Sequence, residues 1–189
     1  MKKSRRSVVT VLLSGGIDST ACVHFYSRQG VSVRPLFIDY GQSASRAESK
    51  SARAVSAFYK LSLENMRISG PRIPGSGEIL GRNLVLLSAA LLKVGAKANL
   101  IAMGIHSGTR YFDCNSDFTA LCDKLLEGYT DGRVQLGTPF LTMDKGQIWE
   151  YCKRYSVPVH LTWSCESSNR KPCGKCLSCK DKESLLARP

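Results

Sequence analysis

Two stretches of this sequence hold residue types that do chemistry at spacings where they can act together. The first is Ser14-Gly15-Gly16-Ile17-Asp18-Ser19-Thr20, directly after the aliphatic run Val8 to Leu13. Gly15 and Gly16 carry no Cβ, so a backbone there can approach an oxyanion closely and take positive φ. Ser14, Ser19 and Thr20 add hydroxyl donors. A loop that enters a helix also offers unpaired amides and the positive end of the helix dipole, so the stretch reads as a phosphate cradle. The plainer alternative is a Gly-Gly turn capped by Asp18. Neither G-x-x-x-x-G-K-S/T nor G-x-G-x-x-G is present, which argues against a Walker-type nucleoside triphosphatase or a dinucleotide fold.

The second stretch is the cysteine tail. Cys165, Cys173, Cys176 and Cys179 form C-x7-C-x2-C-x2-C, with Gly174 supplying a turn. Four thiolates at this spacing suit tetrahedral Zn²⁺ with no open position, hence a structural metal. An iron–sulfur cluster and free reduced thiols are the alternatives. Cys22, Cys114, Cys122 and Cys152 stand singly in apolar or mixed segments and read as small buried thiols. Cys114 alone among them has a second reading, as a thiol beside a substrate. None of His24, His106 and His160 has a second His or carboxylate at ligand spacing, so packing or surface roles are expected. His106 is the outside candidate, because it follows the fourth expected strand.

For the first stretch to meet a ligand it must lie between a strand and a helix, and the pattern around it predicts both. Val8 to Leu13 reads as a strand and 18–30 as a helix ending at Gly30. A second strand is expected over 31–40, a helix over 44–61 and a third strand over 64–69. After a turn-rich segment at 70–83, the run 84–96 reads as a buried helix and 98–105 as a fourth strand. Two more helices, 116–129 and 144–157, are separated by Val134 to Phe140. This alternation predicts a Rossmann-like α/β fold, a doubly wound parallel sheet with ligands at the carboxyl ends of the strands. From His160 the periodicity stops, so the expected division is an α/β domain at 1–159 that carries the phosphate cradle and a cysteine-rich tail at 160–189 packed on it.

With 189 residues, 43% hydrophobic and 22% charged, the chain suffices for one ordinary core. Its start resembles a secretion signal, but the apolar stretch is shorter than the roughly 7–15 residues a signal needs. Nothing approaches the roughly 20 apolar residues of a membrane span. A soluble, cytoplasmic protein with no membrane partner is expected, and eight cysteines there point to metal and packing roles rather than disulfides. The formal charge of +12 favours anionic partners, against the simpler reading of a soluble basic surface.

The first stretch resembles the S-G-G-x-D-S-S/T signature of the PP-loop ATP pyrophosphatases, also called adenine nucleotide alpha hydrolase-like proteins, which cleave ATP to AMP and pyrophosphate. Further matches follow in order: Phe37 to Gln42 (FIDYGQ), Gly81 to Asn83 (GRN), Met103 to Gly108 (MGIHSG), Arg110 to Cys114 (RYFDC), Thr138 to Phe140 (TPF), Asp144 to Ile148 (DKGQI) and the cysteine tail. In this order, from about Val8 to Lys182, the chain is similar to the QueC family of 7-cyano-7-deazaguanine synthases. The resemblance implies ATP-dependent adenylation of 7-carboxy-7-deazaguanine, displacement of AMP by ammonia, and conversion of the amide to the nitrile by a second ATP. It implies that Ser14, Gly15, Gly16, Asp18, Ser19 and Thr20 hold phosphates and Mg²⁺, with Leu13, Ile17 and Gly104 beside them. Asp18 suits a polyphosphate site only as a ligand of Mg²⁺. Tyr40 and Gln42 would lie near the nucleotide or nucleobase, Arg82 and Lys145 would be catalytic cations on the phosphates, and Asn83 would donate an amide hydrogen bond. Helix capping by Arg82 and Asn83 and an exposed Lys145 are the milder readings.

Departures from the family pattern fall on the substrate side. The loop that usually resembles T-D-x-S-G-Y-P-D-C-R is shortened here to His106 through Ser116, with Phe112 for Pro and Asn115 for Arg; Lys182 stands where an Arg is expected. Reaction class is therefore better marked than substrate. A QueC-like enzyme that adenylates a protein or nucleic-acid acceptor in a defence or modification system is the second reading, and a zinc-ribbon nucleic-acid-binding module the third. A homodimer is expected only on the general frequency of dimers.

Overall fold

Short aliphatic runs alternating with helical segments close into one parallel sheet in the computed structural model. It describes residues 7–70, 78–167 and 170–187; the basic residues 1–6, the middle of the turn-rich segment (71–77) and Asn169 of the basic tail lie outside the described residues. The strand order is β3-β2-β1-β4-β5. Central β1 (Val8–Leu12) pairs with β2 (Ser32–Asp39) on one side and β4 (Leu100–Ala102) on the other, Val9 lying opposite both Val33 and Leu100. β3 (Glu64–Arg67) and β5 (Gln135–Gly137) flank them, and every pairing is parallel.

Parallel neighbours require crossovers, and helices supply them. α1 (Ile17–Ser27) and α2 (Ser45–Phe58) carry the chain outward to β3, α3 (Arg82–Val94) brings it back to β4, and α4 (Ser116–Thr130) leads to β5. α5 (Lys145–Arg154) and α6 (Leu177–Leu186) follow. One core gathers Val11, Ala21, Val55 and Ile148 from β1, α1, α2 and α5; the other gathers Leu87, Ile101 and Leu126 from α3, β4 and α4. The sheet is therefore covered on both faces, as the alternation predicts. Strand order reverses between β1 and β4, so a crevice opens at their carboxyl ends.

Three expectations are corrected. α3 is not a buried helix: Leu84, Val85 and Leu92 are 41%, 50% and 81% exposed, because it faces the sheet along one side only through Leu87, Ala89 and Ala90. The expected spacer Val134 to Phe140 contains β5. The tail, read as aperiodic, holds α6, whose Leu185 enters the core of α1 and α5. Cys22, Cys114, Cys122 and Cys152 are buried, as expected. Among the described residues no helix is long and apolar enough to cross a membrane.

Candidate functional site

The crevice is built from the loop after β1 upward. Leu13 still donates to the Leu36 carbonyl (2.9 Å), so the chain leaves the sheet only at Ser14. Gly15 turns with φ +84°, and a Cβ there would stand 2.8 Å from both the Glu48 carbonyl oxygen and Ser51 Cβ. The space beside Gly15 thus belongs to α2, not to a ligand. Its carbonyl accepts from Ser51 Oγ (2.8 Å) and from the Trp163 amide (2.9 Å), which ties the bend to the tail. Gly16, with φ −77°, caps α1 without a side-chain partner, and the first-turn amides of a helix have no carbonyl within it. Ser14 Oγ lies 3.1 Å from Ser19 Oγ and accepts from the Gly16 amide at 3.3 Å. Ser14, Gly16, Asp18 and Ser19 line the crevice, with Leu13 on its inner and Ile17 on its outer part. Thr20, fully buried, and Gly15 are not among the lining residues.

Three elements converge on Asp18. β4 approaches α1 so closely that a Cβ on Gly104 would lie 2.6 Å from the Asp18 carbonyl oxygen. α5 begins at Lys145 because Asp144 and Gln147 form a reciprocal capping box, both bonds 2.8 Å. From that first turn Lys145 Nζ donates to Asp18 Oδ2. His106 Nε2 lies 3.9 Å from the same oxygen, and its Nδ1 accepts from the Gly108 amide (3.1 Å). Burial holds the His106 pKa below its ordinary value, against the pull of the Asp18 carboxylate. Among the described residues Asp18 Oδ1 is buried without a hydrogen-bond partner, and an oxygen left in that state fits a hard cation ligand.

On the β2 side, Gln42 spans the loop. Its Oε1 accepts from the Tyr40 amide (2.9 Å), and its Nε2 donates to Glu48 Oε2 (2.8 Å). Burial raises the Glu48 pKa, opposed by that hydrogen bond. The Arg82 guanidinium lies near the Tyr40 side chain, and its Nε donates to Asn83 Oδ1 (3.4 Å). Asn83 is buried, and its Nδ2 already donates to the Asp113 carbonyl (2.9 Å) while its own amide donates to Asp113 Oδ2 (3.3 Å). Its amide fastens α3 to the loop before α4, and Asn83 is among the residues that line the crevice.

An inner chamber of about 230 Å³ has an apolar floor of Leu36, Ile38, Leu86, Met103 and Ile105, with Tyr40, Gln42 and Arg82 at its side. It opens into an outer chamber of about 740 Å³ that adds His106, Arg110 and Lys145, and from the tail Trp163, Asp181 and Lys182. Sequence reasoning missed this tail wall, since nothing local in 160–189 signals that it closes a site begun at residue 14. Nor did it join His106 to Asp18, although the position of His106 after β4 was the available clue.

The sulfurs of Cys165, Cys173, Cys176 and Cys179 lie within 4.8 Å of one another. Amides face them: Cys173 N donates to Cys165 Sγ (3.3 Å), and the amides of Lys175 and Cys176 donate to Cys173 Sγ (both 3.4 Å). Those two bonds bring the Cys173 thiol down to about 6. Amide donors hold Cys173 and Cys165 toward thiolate, the form that binds metal, while burial pushes the Cys179 thiol up to about 12.

Comparison with known proteins adds the following. The family model described as queuosine biosynthesis protein QueC matches residues 8–77 and 73–188. The chain is 31% identical over 196 residues to a 7-cyano-7-deazaguanine synthase of Desulfitobacterium hafniense, covering 89% of this chain and 84% of the relative. It is 32% identical over 202 residues to a 7-cyano-7-deazaguanine synthase of Acetivibrio thermocellus, covering 93% and 90%. In fold it is similar to the U34-tRNA thiolase NcsA of Methanococcus maripaludis, solved with its 4Fe-4S cluster (TM-score 0.50, 13% identity, 97% of this chain and 65% of that one). It is likewise similar to a 4-thiouridine synthetase solved with RNA and bound ATP (TM-score 0.51, 16% identity, 95% and 50%). These two likenesses concern the fold, and this chain spans about two thirds and half of their lengths.

Proposed function

The chain belongs to the QueC family, and from that premise we propose that it is an ATP-dependent ligase that adenylates 7-carboxy-7-deazaguanine and converts it with ammonia to 7-cyano-7-deazaguanine. The observation that carries the reading is the meeting of Asp18, Lys145 and the amide end of α1 at the mouth of an apolar chamber large enough for a purine. Hydroxide is a poor leaving group, so the acid must first be activated. Its carboxylate oxygen attacks the α-phosphorus of ATP, and the bond to pyrophosphate breaks. Ammonia then adds to the acyl carbon, loses a proton and expels AMP, leaving the amide. A second ATP activates the amide oxygen, whose departure with AMP and loss of the remaining N–H protons give the nitrile.

In this reading the chain's part is positioning and charge neutralisation. Ser14, Gly16 and Ser19 with the α1 amides take the phosphates, and Lys145 and Arg82 supply cations. Asp18 Oδ1 is the atom that would hold Mg²⁺, which when bound screens the phosphate oxygens. The inner chamber, with Leu36 and Met103 on its faces and Tyr40 and Gln42 at its edge, takes a flat base. For the tail we propose a structural Zn²⁺: Zn–S bonds of about 2.3 Å place tetrahedral sulfurs roughly 3.8 Å apart, near the observed spread and tighter than a four-iron cube allows. The tail from 160 acts as a wall on the ATP domain at 1–159. A cytoplasmic setting suits the thiolates and the ATP supply. Apolar side chains exposed on α3 and α4, Leu84, Leu92, Leu121 and Leu125 among them, support a homodimer through that face.

The deciding experiment incubates the purified protein with ATP, Mg²⁺, ammonium and 7-carboxy-7-deazaguanine, with mass detection of products. Nitrile with AMP and pyrophosphate is expected. AMP formed only when a protein or nucleic-acid acceptor is added would instead establish the second reading, which the shortened loop after β4 favours. One equivalent of zinc in a colourless preparation is expected for the tail; a brown one would indicate iron and sulfide.

A further inference from the structure

We propose that Lys182 and Trp163, on the tail wall of the outer chamber, form the subsite for the acid substrate: Lys182 takes its carboxylate and Trp163 flanks its planar ring. The proposal rests on the ligase reading and assigns the group that reads the acid within it.

Lys182 stands apart from the other cations of the tail. Arg170, Lys171, Lys175 and Lys180 are exposed, whereas Lys182 is half-buried on the inward side of α6 and lines the outer chamber. Its Nζ donates to the Thr162 carbonyl (3.2 Å), and among the described residues no carboxylate lies within ion-pair distance. An ammonium has three donors, so two remain for a partner. Cys179 of the sulfur cluster is its acidic neighbour; with no carboxylate of its own, a half-desolvated cation that lines a cleft suits an anionic ligand.

The phosphates have other partners. Lys145 and the α1 amides are assigned to them, and Lys182 lines the outer chamber but not the inner one. The remaining anion of the reaction is the carboxylate of the acid. Its approach to the phosphate loop is built into one peptide group: the Thr162 carbonyl accepts from Lys182, and the adjoining Trp163 amide donates to the Gly15 carbonyl (2.9 Å). The cation is thus one peptide unit from the bend that holds the phosphates. Trp163 is fixed at both ends, since its indole Nε1 also donates to the Cys165 carbonyl (2.7 Å). A fixed aromatic beside a cation matches a flat heteroaromatic acid.

The test compares wild type with Lys182→Met, which keeps the stem and removes the charge, and Lys182→Arg, which restores the charge. Two quantities are read: the KM values for acid and ATP, and equilibrium binding by calorimetry of the acid and of 7-deazaguanine, which lacks the carboxylate. For Lys182→Met the KM of the acid should rise about tenfold or more while that of ATP stays within about twofold, and the preference for acid over 7-deazaguanine should disappear. Lys182→Arg should recover most of both. A Trp163→Phe variant should bind both compounds more weakly with the preference intact. If Lys182→Met keeps the acid preference, or loses ATP and acid binding in parallel, the assignment fails while wild-type activity leaves the ligase reading standing. A wild type that neither binds the acid nor forms AMP removes both.

Discussion

At the scale of single residues, the site depends on what Asp18 touches. Lys145 shares Asp18 Oδ2 with His106, so Lys145 both supplies a cation and fixes the carboxylate with Oδ1 free. Lys145→Ala should lower the rate of AMP formation by about two orders of magnitude or more, the usual scale for removing one preorganised charge-stabilising group, with little change in melting temperature. Unchanged turnover would remove Lys145 from the mechanism. Gly104 acts by absence. A Cβ there meets backbone, 2.6 Å from the Asp18 carbonyl oxygen, where no side chain can swing aside. Gly104→Ala should therefore cost about 1–3 kcal/mol or more in urea denaturation and depress nucleotide binding with it. The loop after β1 was legible because its residues are contiguous. Lys145 and Asp18 lie 127 positions apart, and only the fold makes them neighbours.

At the scale of elements, α1 and α5 meet around His24. Its Nδ1 is 2.9 Å from the Tyr151 hydroxyl, and the rings of Tyr59, Tyr151 and Tyr155 surround it. Burial, with Arg28 nearby, lowers the His24 pKa from its ordinary value of 6.5. The unfolded chain therefore binds the proton more readily, and stability falls as the pH drops below about 6.5 until the folded state also protonates. Urea midpoints at pH 5 and pH 7.5 should differ in that direction, and His24→Gln should shrink the difference. His106, shifted the same way, keeps it from vanishing. Elements with a strong period were legible: β1, α1 and α2 fall within a few residues of expectation. β5 was not, since three residues with Gln135 exposed carry no alternation. α6 was not, since it buries only Leu185 and has Cys176 of the sulfur cluster at its N-cap. α3 misled in the other direction, because its unbroken leucines and alanines hide which side meets the sheet.

At the scale of the whole molecule, the cysteine cluster and the nucleotide site belong to one structure. Ser51 Oγ donates to the carbonyls of Gly15 (2.8 Å) and Leu161 (2.6 Å), and Trp163 to Gly15, so loosening the tail loosens the phosphate loop. Stripping the metal with chelator and returning the protein to Mg²⁺ buffer should lower the melting temperature by about 5–10 °C, the equivalent of a few kcal/mol at this size, and weaken nucleotide binding in parallel. A lower melting temperature with unchanged nucleotide affinity would show the two to be independent. The composition made the cysteine cluster legible but not this coupling, which joins residues 15 and 163 through space. The same contact governs biosynthetic timing. Gly15 leaves the ribosome many seconds before Trp163 at about 5–20 residues per second, and during that interval the bend lacks its tail partner. A chain not yet extended past Trp163 therefore carries the loop after β1 without the amide that anchors it.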